Sequence, residues 1–95
     1  QGLYDTLVAS GRTSLVAALQ VGAEIEDLDI RDLRAIKATV DNADLLLVYE
    51  NLEKGSRNHL RAFHDNLVRQ GASYTPKYIT QAEYDAIVNS PKERG

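Results

Sequence analysis

Glu26, Asp29, Ser56 and His59 are the side chains whose types and spacing could do chemistry in this sequence. Each falls on a stripe of apolar residues that repeats at helical period. A carboxylate left unpaired in a dry core is very costly, so these groups need partners. A transition metal is one answer. Some bundle cores hold metal with a Glu from each of two helices and a Glu-x-x-His from each of the other two. Carboxylate and imidazole donors together suit iron, manganese or zinc. On that reading Glu26 and His59 are ligands, and Asp29 is either a further ligand or the group that orients the histidine. Ser56 then stands one turn before His59, in the place of the Glu of Glu-x-x-His. The other answer is a network without metal, in which Asp29 or Glu26 bonds to His59, Ser56 or Arg57 and fixes the register of two helices. Spacing alone leaves both open.

Other chemistries drop out. The chain has no cysteine, so disulfides, thiol nucleophiles and Cys-ligated metals are excluded. Gly55-Ser56 lies inside a helical pattern and not between a strand and a helix, so it is no phosphate loop. Ser56 and His59 are one turn apart, but nothing around them suggests an oxyanion hole. His64 faces away from the stripe and reads as a solvated surface histidine. Glu50, Glu53, Lys54, Arg57 and Arg61 read as a solvated rim, and Tyr49, Tyr74 and Tyr78 as packing residues. The formal charge is −3 with acids and bases interspersed, which argues against nucleic-acid and anionic-membrane partners. No apolar run approaches the roughly 20 residues that span a bilayer, and no signal peptide is visible. These features suit a soluble protein and leave its compartment open.

The elements that must position the four residues are helices. Leu3 to Ala9 reads as a short helix stopped by Ser10-Gly11. Thr13 or Ser14 then caps a long helix over about 14–39. Gln20, Glu24, Asp27, Arg31 and Arg34 form a stripe expected to face solvent, and Leu15, Ala18, Leu19, Gly22, Ile25, Leu33 and Ile36 lie opposite. Asp41-Asn42 signals a turn and cap before a second long helix, about 43–69. Its inward stripe is Leu45, Val48, Tyr49, Leu52, Ser56, His59, Phe63 and Leu67. Gly55 in mid-helix predicts close approach by another backbone, since it costs about 1 kcal/mol relative to Ala. Gly71 is the expected C-terminal cap, Pro76 keeps Thr75 extended, and Thr80-Gln-Ala-Glu83 is a capping box opening a helix over about 81–89. The tail 90–95 is expected to be disordered.

A connection of a few residues makes the two long helices antiparallel neighbours. Each has an apolar face wider than one neighbour covers. A chain of this length buries only about two thirds of its unfolded surface and has no disulfide to compensate. The fold class is therefore all-α: an antiparallel hairpin that forms half of a four-helix bundle. The other half is expected from the rest of a longer product or from a second copy as a homodimer. The chain opens at Gln1 with no methionine anywhere, which fits a piece of such a product.

Several stretches carry a family resemblance. They are Ser14-Leu-Val-Ala-Ala-Leu-Gln-Val-Gly22, Glu24-Ile-Glu-Asp-Leu-Asp-Ile30, Val48-Tyr-Glu-Asn-Leu52, Gly55-Ser-Arg-Asn-His-Leu-Arg-Ala-Phe63 and Tyr74-Thr-Pro-Lys-Tyr78. The chain resembles the DUF2202 domain, a ferritin-like family of bacteria and archaea with no established role, from Leu3 to about Val88. The resemblance implies that this is the C-terminal half of the domain. An N-terminal half would bring two more helices, with a Glu on one and a Glu-x-x-His on the other. Glu26 and His59 match the inward positions of the third and fourth helices. Ser56 departs from a regular di-iron pattern, which implies a mononuclear or asymmetric site, or a polar core without metal.

Overall fold

The computed structural model describes the backbone of residues 2–94 and the side chains of residues 11–94. Helix α1 is Gly2–Lys37, α2 is Ala43–Arg69 and α3 is Gln81–Val88. The expected break at Ser10-Gly11 is absent, and α1 runs through it. A glycine weakens a helix by only about 1 kcal/mol. Among the described residues only Gly71 has a positive φ, so nothing at Gly11 turns the chain aside. No helix is long and apolar enough to cross a membrane among the described residues.

The ends of α2 and α3 form as their residues predict. Asn42 caps α2, its side-chain oxygen accepting from the backbone N–H of Asp44 at 2.9 Å and of Leu45 at 3.0 Å. At the other end Gly71 takes φ +70°. The N–H of Ala72 donates to the carbonyl of Leu67, and that of Gly71 to the carbonyl of Val68, both at 2.9 Å. This paired closure satisfies carbonyls that the helix leaves free. The Thr80–Glu83 capping box is closed on both sides, at 3.1 and 2.8 Å.

α1 and α2 pack as an antiparallel hairpin. Lys37 meets Glu50, Arg34 meets Glu53, Glu26 meets His59 and Arg12 reaches Gln70. Each step back along α1 is thus a step forward along α2. The glycine of close approach is Gly22 and not Gly55. A Cβ on Gly22 would sit 2.5 Å from Cε1 and Cζ of Phe63, whereas one on Gly55 would have nothing within 4 Å.

The core lies on one side of this hairpin. Ala23 and Ile30 of α1 and Leu60 and Leu67 of α2 are closed over by Tyr74, Ile79, Tyr84 and Ile87 from the segment after α2. That placement corrects the expectation for the polar stripe of α1, because the C-terminal segment covers it. Gln20 donates to the Ser73 carbonyl at 3.0 Å, Glu24 accepts from Lys77 at 2.9 Å, and the Arg31 guanidinium lies over the Tyr78 ring. Asp27 is fully buried. The opposite side of the hairpin stays bare. Leu15, Ile25, Ile36, Leu45, Val48 and Leu52 are between 39 and 53% exposed.

Candidate functional site

Glu26 and His59 meet on the bare side of the hairpin. α1 supplies the carboxylate and α2 the imidazole, and His59 Nδ1 lies 3.4 Å from Glu26 Oε2. The two differ in exposure: the Glu26 side chain is 13% exposed and that of His59 is 68%. Glu26 therefore sits in the groove between the helices, and His59 stands at its lip. With Nδ1 turned to the carboxylate, Nε2 is the ring atom left for another partner. One turn away, Asp29 of α1 and Ser56 of α2 line a single small cavity with Asp32, Leu33 and Leu52. Asp29 is exposed and Ser56 is buried. Asp29 thus places a carboxylate at the level of Ser56. No group of three or more His, Asp or Glu side chains among the described residues is arranged to hold a metal ion. What the arrangement offers is a carboxylate–imidazole pair with a second carboxylate nearby, on the exposed apolar side of the hairpin.

Arg57 is turned away from this pair, into a layer of charge on the other side. Glu53, expected on a solvated rim, has a side chain only 3% exposed and is surrounded by cations. Arg34 Nε is 3.1 Å from it, Lys37 Nζ 2.6 Å, and Arg57 Nη1 donates to Oε2. Burial pushes the Glu53 carboxyl up, but the bonds from Lys37 and Arg34 outweigh burial and hold it below its ordinary value. Arg34 also reaches Glu83 of α3 at 2.7 Å. Arg57 and Arg61 both grip Glu93, at 2.6 and 2.9 Å. The tail 90–94, expected to be disordered, has no regular secondary structure but is fixed through Glu93. The carboxyl of Glu93 is held at about 2, chiefly by its bond from Arg57, with Arg61 adding to it against the effect of burial.

Two further groups were not singled out by sequence reasoning. Asp27 accepts from the Tyr74 hydroxyl at 2.6 Å and from the backbone N–H groups of Lys77 at 2.7 Å, Tyr78 at 3.2 Å and Ile79 at 2.8 Å. Its helical position put it with the solvated residues, and only the path of the later segment reveals its role. The usable signal was Pro76, which forces an extended stretch whose N–H groups have no helical partner. His64, expected at the surface, is half-buried with Nδ1 3.1 Å from the Tyr84 hydroxyl and its ring edge-on to that tyrosine. Burial, with the charges of Asp85 and Asp27, pushes the Tyr84 phenol up to about 12.

Comparison with known proteins bears on what covers the bare face. The family model described as an uncharacterized protein domain, DUF2202, matches residues 1–91. The uncharacterized protein MJ0754 of Methanocaldococcus jannaschii is 55% identical over 93 residues, which are 98% of this chain and 50% of that protein. A crystal structure of the hypothetical protein MJ0754 from Methanococcus jannaschii aligns with TM-score 0.82 and 53% identity, over 97% of this chain and 53% of the solved one. The chain spans about half the length of these relatives.

Proposed function

This chain belongs to the DUF2202 family, and on that premise we propose that its hairpin is the C-terminal half of a ferritin-like four-helix bundle whose core holds a transition metal. The observation that carries the reading is the Glu26–His59 pair, 3.4 Å apart on the bare apolar side of the hairpin. The exposed apolar row of Leu15, Ile25, Ile36, Leu45, Val48 and Leu52 supports a covered state. A relative twice as long has a second half to cover that row.

The donor set fits iron, manganese or zinc, though this chain's share of it is incomplete. Glu26 would supply oxygen and His59 nitrogen, through the Nδ1 that already faces the carboxylate, and Asp29 would supply a further oxygen or orient the histidine. The remaining ligands would come from the other half of the protein or from a second copy. A bound ion would supply Lewis acidity or, for iron and manganese, electron exchange with oxygen or peroxide. The contact between Glu26 and His59 also favours a second reading, in which the pair fixes helix register without metal.

Metal analysis of the full-length protein, purified without a histidine tag, separates the two readings. The parent is expected to retain iron, manganese or zinc, and the Glu26→Ala, His59→Ala double variant to lose at least nine-tenths of it. Equal metal content in the two, with a melting temperature indifferent to EDTA, would replace the metal reading with the register reading.

A further inference from the structure

The tail contact has the form of peptide recognition. Four side chains on two turns of α2 bind two consecutive residues of a segment without secondary structure. Arg57 donates to both Glu93 carboxylate oxygens, at 2.6 and 2.7 Å, and Arg61 Nη2 lies 2.9 Å from Oε2. Asn58 reads the main chain on both sides, accepting from the Glu93 N–H at 2.9 Å and donating to its carbonyl at 2.8 Å. Lys54 donates to the Arg94 carbonyl at 3.2 Å. A free anion would use the arginines alone. Asn58 and Lys54 bond main-chain groups that a free anion lacks.

The receptor is fixed without the tail. Arg61 Nε donates to the Ile87 carbonyl and Nη1 to Asn58 Oδ1, both at 2.8 Å, and its side chain is 9% exposed. Arg57 is held from behind by Glu53 and Glu50. Both guanidiniums therefore stay aimed at the same point when Glu93 leaves. Glu93 is itself a third exposed and lies on an irregular stretch after α3. A preorganised fork holding a partly exposed carboxylate on irregular backbone suits exchange as well as bracing.

We propose that Lys54, Arg57, Asn58 and Arg61 form a recognition site for an extended acidic peptide, and that Glu93-Arg94 of the same chain occupies it as an internal competitor. A partner segment with a glutamate in extended backbone displaces the tail and docks on α2. Arg57 and Arg61 turn away from the bare apolar row, and Asn58 and Arg61 share a cavity with His59 at the border between the two faces.

The test is a titration followed by ¹⁵N NMR on the full chain. The probe is a capped synthetic peptide of residues 89–95, compared with the same peptide carrying Gln at the Glu93 position. In the E93Q protein the Glu peptide is expected to shift the amide and side-chain signals of Arg57, Asn58 and Arg61. The parent is expected to bind it at least tenfold more weakly, because its tail competes at an effective concentration in the millimolar range. The Gln peptide should bind the variant at least tenfold more weakly than the Glu peptide does. The parent alone gives a second readout: at saturating Glu peptide its residues 90–94 sharpen as the tail is released. Identical affinities for parent and variant, or for the two peptides, would overturn the proposal. So would tail signals that stay unmoved in the parent at saturation.

Discussion

Replacing Asp27 with alanine should release the segment that closes the core. The carboxylate accepts from the Tyr74 hydroxyl and from three consecutive backbone N–H groups, those of Lys77, Tyr78 and Ile79. A hydrogen bond to a charged group contributes about 1.5–3 kcal/mol, so a simple sum over four is several times too large for a chain of this size. The freed donors do not all stay dry. The Lys77 and Tyr78 amides are only part-buried, and water can replace the carboxylate there. The Tyr74 hydroxyl and the Ile79 amide are buried. Two buried donors left unsatisfied cost about 1–3 kcal/mol each, which puts Asp27→Ala at roughly 2–6 kcal/mol. A 95-residue chain has on the order of 5–14 kcal/mol in all, so the upper part of that range unfolds much of the molecule. Urea unfolding followed by circular dichroism measures the global loss. Trypsin cleavage after Lys77, followed by mass spectrometry, measures the local one. A loss below about 1 kcal/mol with no faster cleavage at Lys77 would refute the assignment of Asp27 as the anchor of this segment.

Gly22→Ala should destabilise by about 1–3 kcal/mol, since its Cβ would meet the Phe63 ring at 2.5 Å and overpacking costs that much; Phe63→Leu in the same chain should restore part of the loss in thermal melts. Gly55→Ala should do the reverse in the isolated hairpin, adding up to about 1 kcal/mol of helix propensity because nothing lies within 4 Å of the new Cβ; a loss of stability there would mean that the face is not bare. Acid should weaken the fold through Glu93, whose carboxyl lies at about 2 against an ordinary 4.5. A carboxyl lowered by folding contributes fully above its unfolded value and loses that contribution as pH falls toward its folded one. Urea midpoints should therefore fall between pH 5 and pH 2, with about 1–2 kcal/mol from Glu93 after discounting for its exposure. The E93Q variant should show a flatter profile, and a parent profile that is flat or rising toward acid would contradict this.

The helices were legible because their signals are local. Asn42, Gly71 and the Thr80–Glu83 box act within four residues of themselves, and each appears where its residue type predicts. Period put Glu26 and Asp29 on one helix and Ser56 and His59 on the next as possible partners without choosing between them, and the structure brings Glu26 to His59 at 3.4 Å. What the period could not give was which stripe is covered. A polar row on a helix reads as solvated until something polar is laid across it, and here the covering segment comes 46 or more residues after Asp27 in the chain. The same ambiguity hid the charge layer. Glu53, Arg57 and Arg61 look like a rim in sequence, but Glu53 is buried among Arg34, Lys37 and Arg57, and Arg61 is buried against the Ile87 carbonyl and Glu93. Gly55, expected at a close approach by another backbone, has nothing within 4 Å of where a Cβ would sit, and the crowded glycine is Gly22 under the Phe63 ring.

Glu26 and Asp27 are consecutive, and they face opposite tasks. At about 100° per residue, one step along α1 carries the chain from the groove beside His59 to the centre of the core. Asp27 is tied by four bonds to a segment that also buries Tyr74, Ile79 and Tyr84. A rotation of α1 about its own axis would break those bonds together, and Phe63 lying over Gly22 blocks a slide along α2. The direction in which Glu26 points is thereby set from the far side of the helix, with no polar group of the bare face needed to hold it. That is why a carboxylate–imidazole pair can sit on an apolar surface: α1 is braced from behind, and Glu26 keeps its direction toward His59.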